Sequence, residues 1–111
     1  MKNSCIVSIH SAKQNQTTVG IQIGTVKKEL THISEFHTSQ KVLPLLESLL
    51  TENNLTYEDI TGIVVDTGPG SFTGLRVGAT IGNMLGWLLQ VPVNGKNIPV
   101  TKLMYGDDKW G

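Results

Sequence analysis

A chain of 111 residues is enough for one domain with a buried core, and 39% hydrophobic against 16% charged residues places it among globular rather than disordered proteins. Nine Lys+Arg balance nine Asp+Glu, and the only arginine is Arg76, which argues against strong autonomous binding to nucleic acid. One cysteine rules out an internal disulfide framework, and no apolar run suits a signal peptide or a membrane span, so the chain reads as cytosolic.

The first element is a strand, "CIVSIH", with Cys5 as a small buried hydrophobe. "TTVGIQIG" puts Val19, Ile21 and Ile23 on one face, the period of a half-buried strand. Gly24-Thr25 suits a tight turn, from which "VKKELTHI" returns antiparallel. Thr38 or Ser39 can cap a helix whose apolar positions are Val42, Leu43, Leu45, Leu46, Leu49 and Leu50, with Pro44 in its first turn or at a kink. Asn53-Asn54 ends it. "ITGIVVD" is a continuous apolar run, as expected of a strand buried on both faces. The glycine-rich elbow "DTGPGSFTGLR" follows, then a helix from about Leu75 to Gln90, and "VPVNG" as a last short strand. The order β-β-β-α-β-α-β predicts an α/β fold with a mixed sheet of about five strands, three antiparallel then parallel, and two main helices.

A strand, a glycine loop and a helix in succession make a natural anion site, because free N–H groups at a helix start point at a ligand. Gly68, Gly70 and Ser71 are therefore candidates for a phosphate cradle. Counting spacings, however, breaks each known fingerprint. The Walker A loop and the dinucleotide pattern both require glycine where Thr73 stands. The hydrolase elbow requires serine where Phe72 stands, and Ser71 lacks an evident base. Asp66, at the carboxyl end of a strand, either caps backbone in the loop or touches a ligand. Arg76 is a partner for phosphate or carboxylate, or an exposed charge. His10, His32 and His37 lack the spacing of a metal site and read as polar residues at strand ends or caps.

In the second helix Gly74, Gly78, Gly82 and Gly86 recur every fourth residue. The three interior ones cost roughly 3 kcal/mol relative to alanine, which something must offset, and a stripe without Cβ atoms marks close approach of another backbone. At 100° per residue the apolar and glycine positions fill an arc of roughly 220°. A helix packing only on its own sheet needs little more than 100°. Either a further structural element covers the excess, or the helices of a partner do.

The stretch "GPGSFTGLRVG" resembles the signature of the TsaB (YeaZ) family, and the resemblance extends through "GIVVDTGPGSFTGLRVGATIGNMLGWLLQVPVNG" and, more loosely, "HTSQKVLPLLESLL". It implies an RNase H-like domain of the actin-like ATPase (ASKHA) superfamily and a non-catalytic scaffold that binds the related protein TsaD, whose complex makes threonylcarbamoyladenosine on tRNA. Gly68, Pro69, Gly70, Ser71, Phe72, Thr73, Gly74 and Arg76 correspond to the signature loop. The family's dimer surface, with like or unlike partner, lies on the first two helices, and Val42, Leu46, Leu49, Gly78, Gly82 and Gly86 are the positions expected there. No catalytic residue, metal or resident cofactor is expected, with ADP or ATP at the partner contact as the alternative.

Two departures accompany the resemblance. Family members begin with a strand ending in "DT", whose Asp is a phosphate-site carboxylate; here His10 occupies that place, and an imidazole cannot position Mg²⁺ through water as a carboxylate does. The family also carries a second domain of the same fold, so residues 1–111 are expected to form the amino-terminal domain alone. Two rival readings stand beside the scaffold: a nucleotide-dependent hydrolase or glycoprotease-like enzyme, and a degenerate homodimer outside the tRNA pathway.

Overall fold

Six residues of alternating burial open the fold. In β1 (Cys5–His10), Cys5, Val7 and Ile9 are buried, while Ile6, Ser8 and His10 on the opposite face are only partly covered. The computed structural model describes residues 4–13, 15–33 and 39–105. β2 (Gln16–Ile23) pairs antiparallel with β1, Ile9 opposite Val19 and Val7 opposite Ile21, so the apolar faces of the two strands coincide. A two-residue turn leads into β3 (Val26–Ile33); Gly24 holds φ at +59°, the positive value such hairpin turns require. The expected meander is present.

A 3₁₀ turn (Ser39–Lys41) leads into α1 (Val42–Glu52). Pro44 falls in the first turn of α1, where its missing N–H leaves no carbonyl unsatisfied. Of the expected caps, Thr38 and also His37 lie outside the described residues. Lys41 occupies the N-cap, without a side-chain cap bond. Asn53 closes the helix, its Nδ2 donating to the Leu49 carbonyl at 2.7 Å. β4 (Gly62–Val65) then joins β1 in parallel, Ile6 opposite Gly62 and Ile9 opposite Val65. Sheet order is β3-β2-β1-β4. α2 (Phe72–Leu89) completes an α/β fold with a mixed four-stranded sheet and two main helices.

Val42, Leu46, Leu49 and Leu50 of α1 and Ile81 and Leu85 of α2 close one hydrophobic core over Val7, Ile9, Val19, Ile21, Ile63 and Val65. Both helices therefore cover the same face of the sheet. This corrects the reading of "ITGIVVD" as buried on both sides: Val64, pointing to the other face, is 40% exposed.

The expected fifth strand is also corrected. Val93 forms a single parallel bridge with Ile63, and the chain turns at once through Asn94 (φ 51°) and Gly95 (φ 79°) to bridge Lys96. The Asn94 side chain takes the place of the missing strand, accepting the Val65 N–H at 2.8 Å and donating to the Val65 carbonyl at 3.2 Å. One amide side chain thus satisfies a strand edge that a longer β5 would cover.

Cys5 is 1% exposed. Burial, and after it the negative charge of Asp59, pushes its thiol above the ordinary range. Since the thiolate is the reactive form, native protein should resist an aromatic disulfide reagent at pH 8 and release one equivalent of thiol only on unfolding. Fast labelling under native conditions would contradict the burial.

Candidate functional site

The elbow is held between two neighbouring segments, and its glycines mark the points of contact. On one side a Cβ on Gly70 would stand 2.7 Å from the Ala12 Cβ, 2.8 Å from its carbonyl oxygen and 2.9 Å from its Cα. On the other side Gly68, at φ +111°, lies where a Cβ would overlap the Met104 carbonyl. Hydrogen bonds stitch both seams: the Ser71 N–H donates to the Ala12 carbonyl at 2.7 Å, and the Met104 N–H donates to the Thr67 carbonyl at 2.6 Å. Close backbone approach accounts for these two glycines without any ligand.

Two polar side chains of the elbow, Asp66 and Ser71, bind the protein's own backbone. Asp66 accepts Ser11 N–H at 3.1 Å and Ala12 N–H at 3.2 Å through one oxygen, and its other oxygen meets His10 Nδ1 at 2.9 Å. Sequence reasoning expected Asp66 to cap its own loop; it caps the neighbouring one and ties the ends of β1 and β4 together. Ser71 is the N-cap of α2, its Oγ accepting the Gly74 N–H at 3.2 Å, so the helix begins at Phe72 rather than near Leu75. Buried Ser11 donates to the Gly74 carbonyl at 2.6 Å. Arg76 is exposed, its guanidinium 5.2 Å from the centre of the Phe72 ring, which lies 4.6 Å from Tyr105. Thr73 is exposed and Pro69 projects from the turn.

The role of Ser71 as a cap has a measurable signature. Ser71→Ala should cost about 1 kcal/mol and Ser71→Asp should keep nearly all the stability, because aspartate caps as well as serine. Thermal melts of the two variants check this. Equal destabilisation would contradict the capping role.

The stripe of glycines on α2 faces inward. A Cβ on Gly78 would overlap Ser11 Oγ, one on Gly82 would overlap Val65 Cγ1, and one on Gly86 would overlap Val93 Cγ2. Val42, Leu46 and Leu49 lie in the core. None of the six positions expected to meet a partner is exposed on the surface; the glycines meet β4 and two segments beside it, at Val65, Ser11 and Val93 of this same chain. On α2, burial runs from Ile81 round to Ala79, an arc of roughly 160° at 100° per residue. The apolar excess lies beyond it, in Met84 (41% exposed), Leu88 (58%) and Trp87 (72%). Trp87 falls among Asn83, Thr80 and Arg76 on the wheel, and a tryptophan in a polar sector is the signal that marks this surface.

Sequence reasoning also missed two clamps. Asn83 donates to the Val100 carbonyl and accepts the Val100 N–H, both at 2.8 Å, fastening the segment after Val93 along α2. Asn94 fastens the same segment to β4. Among the described residues no three His, Cys, Asp or Glu side chains converge as metal ligands, and no helix is long and apolar enough to cross a membrane.

Residues 11–98 match the family model described as "TsaD: tRNA N6-adenosine threonylcarbamoyltransferase". The chain belongs to this family. Within it, the chain is similar to proteins named TsaB. It is 35% identical over 69 residues to the "tRNA threonylcarbamoyladenosine biosynthesis protein TsaB" of Bacillus subtilis, covering 62% of this chain and 30% of that protein. To the protein of the same name from Escherichia coli it is 30% identical over 96 residues, covering 86% of this chain and 41% of the relative. The backbone superposes on YeaZ from Pseudomonas aeruginosa with a TM-score of 0.76 at 23% identity, over 81% of this chain and 42% of that one, a likeness of fold. This chain therefore spans less than half the length of these relatives.

The matched span holds the elbow, both helices and the two clamping asparagines, Asn83 and Asn94, and starts one residue after His10. His10 thus stands at the edge of what the family model recognises. The carboxylate at the base of the elbow comes from Asp66, and His10 is its partner.

Proposed function

We propose that this chain is a non-catalytic scaffold that docks on a TsaD-type threonylcarbamoyltransferase and holds it in the arrangement that makes threonylcarbamoyladenosine on tRNA. Its relatives are named for that biosynthesis. The observation that carries the docking is the run of exposed apolar side chains on α2, Met84, Trp87 and Leu88, on a helix whose opposite face packs against its own sheet. Large apolar side chains grouped on a surface mark an interaction site. The absence of a catalytic role is supported at the elbow, where Ser71 caps a helix and Asp66 binds two backbone amides and His10. In this reading residues 1–111 are one RNase H-like domain of the actin-like ATPase superfamily, corresponding to the family's amino-terminal domain, and the protein works in the cytoplasm.

The test is calorimetry and light scattering with the TsaD-type enzyme of the same organism. Wild-type protein should form a complex with micromolar or tighter affinity. Leu88→Asp should weaken it at least about tenfold, the loss of roughly 1.4 kcal/mol expected for one interface anchor, with an unchanged melting temperature. No complex with wild-type protein, at concentrations of tens of micromolar, overturns the reading.

A further inference from the structure

Behind Trp87 lies a notch of about 220 Å³ between the last two turns of α2 and the segment that follows Val93. Trp87, Val91, Ile98 and Pro99 give it apolar walls, with Lys96 and Asn97 at its margin. Pockets that enclose a small-molecule ligand run to about 300–1,000 Å³, so this one is undersized for that use but suited to a single side chain.

The segment that forms one side of the notch is tied to the rest of the protein at both of its ends. Val93 and Lys96 exchange two backbone bonds, 2.9 and 3.1 Å, across the Asn94–Gly95 turn. The Asn94 N–H donates to the Ile63 carbonyl at 2.8 Å, and Asn83 holds both polar groups of Val100. A segment tied at both ends has less conformational entropy left to lose on binding than a free loop. Trp87 borders the notch and also belongs to the exposed strip with Met84 and Leu88, so notch and strip form one continuous surface. Ile98, 64% exposed, extends it on the far side.

We propose that the notch receives one large apolar side chain of the docked enzyme, from a segment that places a carboxylate beside that side chain to meet Lys96. The inference rests on the docking reading and adds the chemistry of the anchor. Interfaces concentrate their affinity in a few side chains seated in pockets, and a charge at the rim contributes mainly to association rate and salt dependence.

Ile98→Asp and Lys96→Glu test this in the full chain, with Leu88→Asp for comparison. Both new sites are exposed, so melting temperatures should stay within about 3 °C of wild type, as for surface changes generally. Ile98→Asp should weaken the enzyme complex at least about thirtyfold, as loss of a seated anchor does. Lys96→Glu should weaken it about fivefold at low salt, with the deficit shrinking as salt rises. Wild-type affinity in both variants, with Leu88→Asp still defective, overturns the notch and leaves the docking reading intact. A self-association lost in Ile98→Asp, with the enzyme complex unaffected, overturns it in favour of a second copy of this chain. No complex with wild-type protein removes both readings together.

Discussion

Gly82→Leu is expected to leave the protein unfolded at room temperature. The position lies mid-helix over β4, where even a Cβ would overlap Val65 Cγ1 and stand 3.6 Å from Ile63 Cγ2. Both neighbours are buried and belong to a strand paired with β1, so neither can swing aside into solvent. Inserting extra methylenes into a packed core costs about 1–3 kcal/mol, occasionally more, and leucine adds four carbons at a position with room for none. A domain of this size has only about 5–15 kcal/mol in total. The smaller change Gly82→Ala sets two effects against each other. Helix propensity favours alanine by about 1 kcal/mol, while the overlap costs about 1–3, so a net loss is expected. Thr80→Leu, on the exposed side of the same helix, controls for propensity and should be tolerated. Circular dichroism and thermal melts distinguish these cases. If Gly82→Ala instead raises the melting temperature, as propensity alone would predict, then β4 does not approach α2 as described.

That contest explains how far the sequence could be read. The periodicity of two in β2 and the turn signal Gly24-Thr25 after it specified the meander, because side chains on a strand can reach only two faces. The spacing of glycines in α2 correctly announced close approach, but periodicity cannot say which backbone approaches. Assigning the stripe to a partner overlooked Ser11, Val65 and Val93 of this same chain, which fill the space beside it. The true excess, Met84, Trp87 and Leu88, emerges only when the arc facing the sheet is known. A similar ambiguity affected "GIVV", since a short apolar run fits a strand buried on one face or on both. Val93 fell short of a strand because a side chain, Asn94, did the work of backbone. At the elbow the sequence narrowed the choices by excluding fingerprints. It could not reveal that Gly70 and Gly68 face Ala12 and Met104, contacts separated from them by dozens of residues.

The elbow leads to the second large effect. Gly70→Ala should cost about 3–5 kcal/mol, the sum of overpacking and up to two weakened hydrogen bonds. The added methyl would meet three atoms of Ala12, two of them backbone, all within 2.9 Å. Ala12 cannot retreat freely: its carbonyl holds Ser71 N–H and its own N–H is held by Asp66. A drop in melting temperature of more than about 10 °C should follow. This matters for the rival hydrolase reading, in which Gly70 cradles a phosphate. Lost nucleotide binding in Gly70→Ala would fit that reading and would equally follow from displacement of the loop. The double variant Ala12→Gly with Gly70→Ala separates the two. Removing the Ala12 methyl relieves one of the three contacts, so it should restore part of the stability, a coupling expected only of residues that touch. If recovered stability brings back nucleotide binding, the glycine's role there is steric. Binding that stays lost in the recovered fold would assign Gly70 to the ligand, and strictly additive effects of the two substitutions would mean that elbow and loop do not meet.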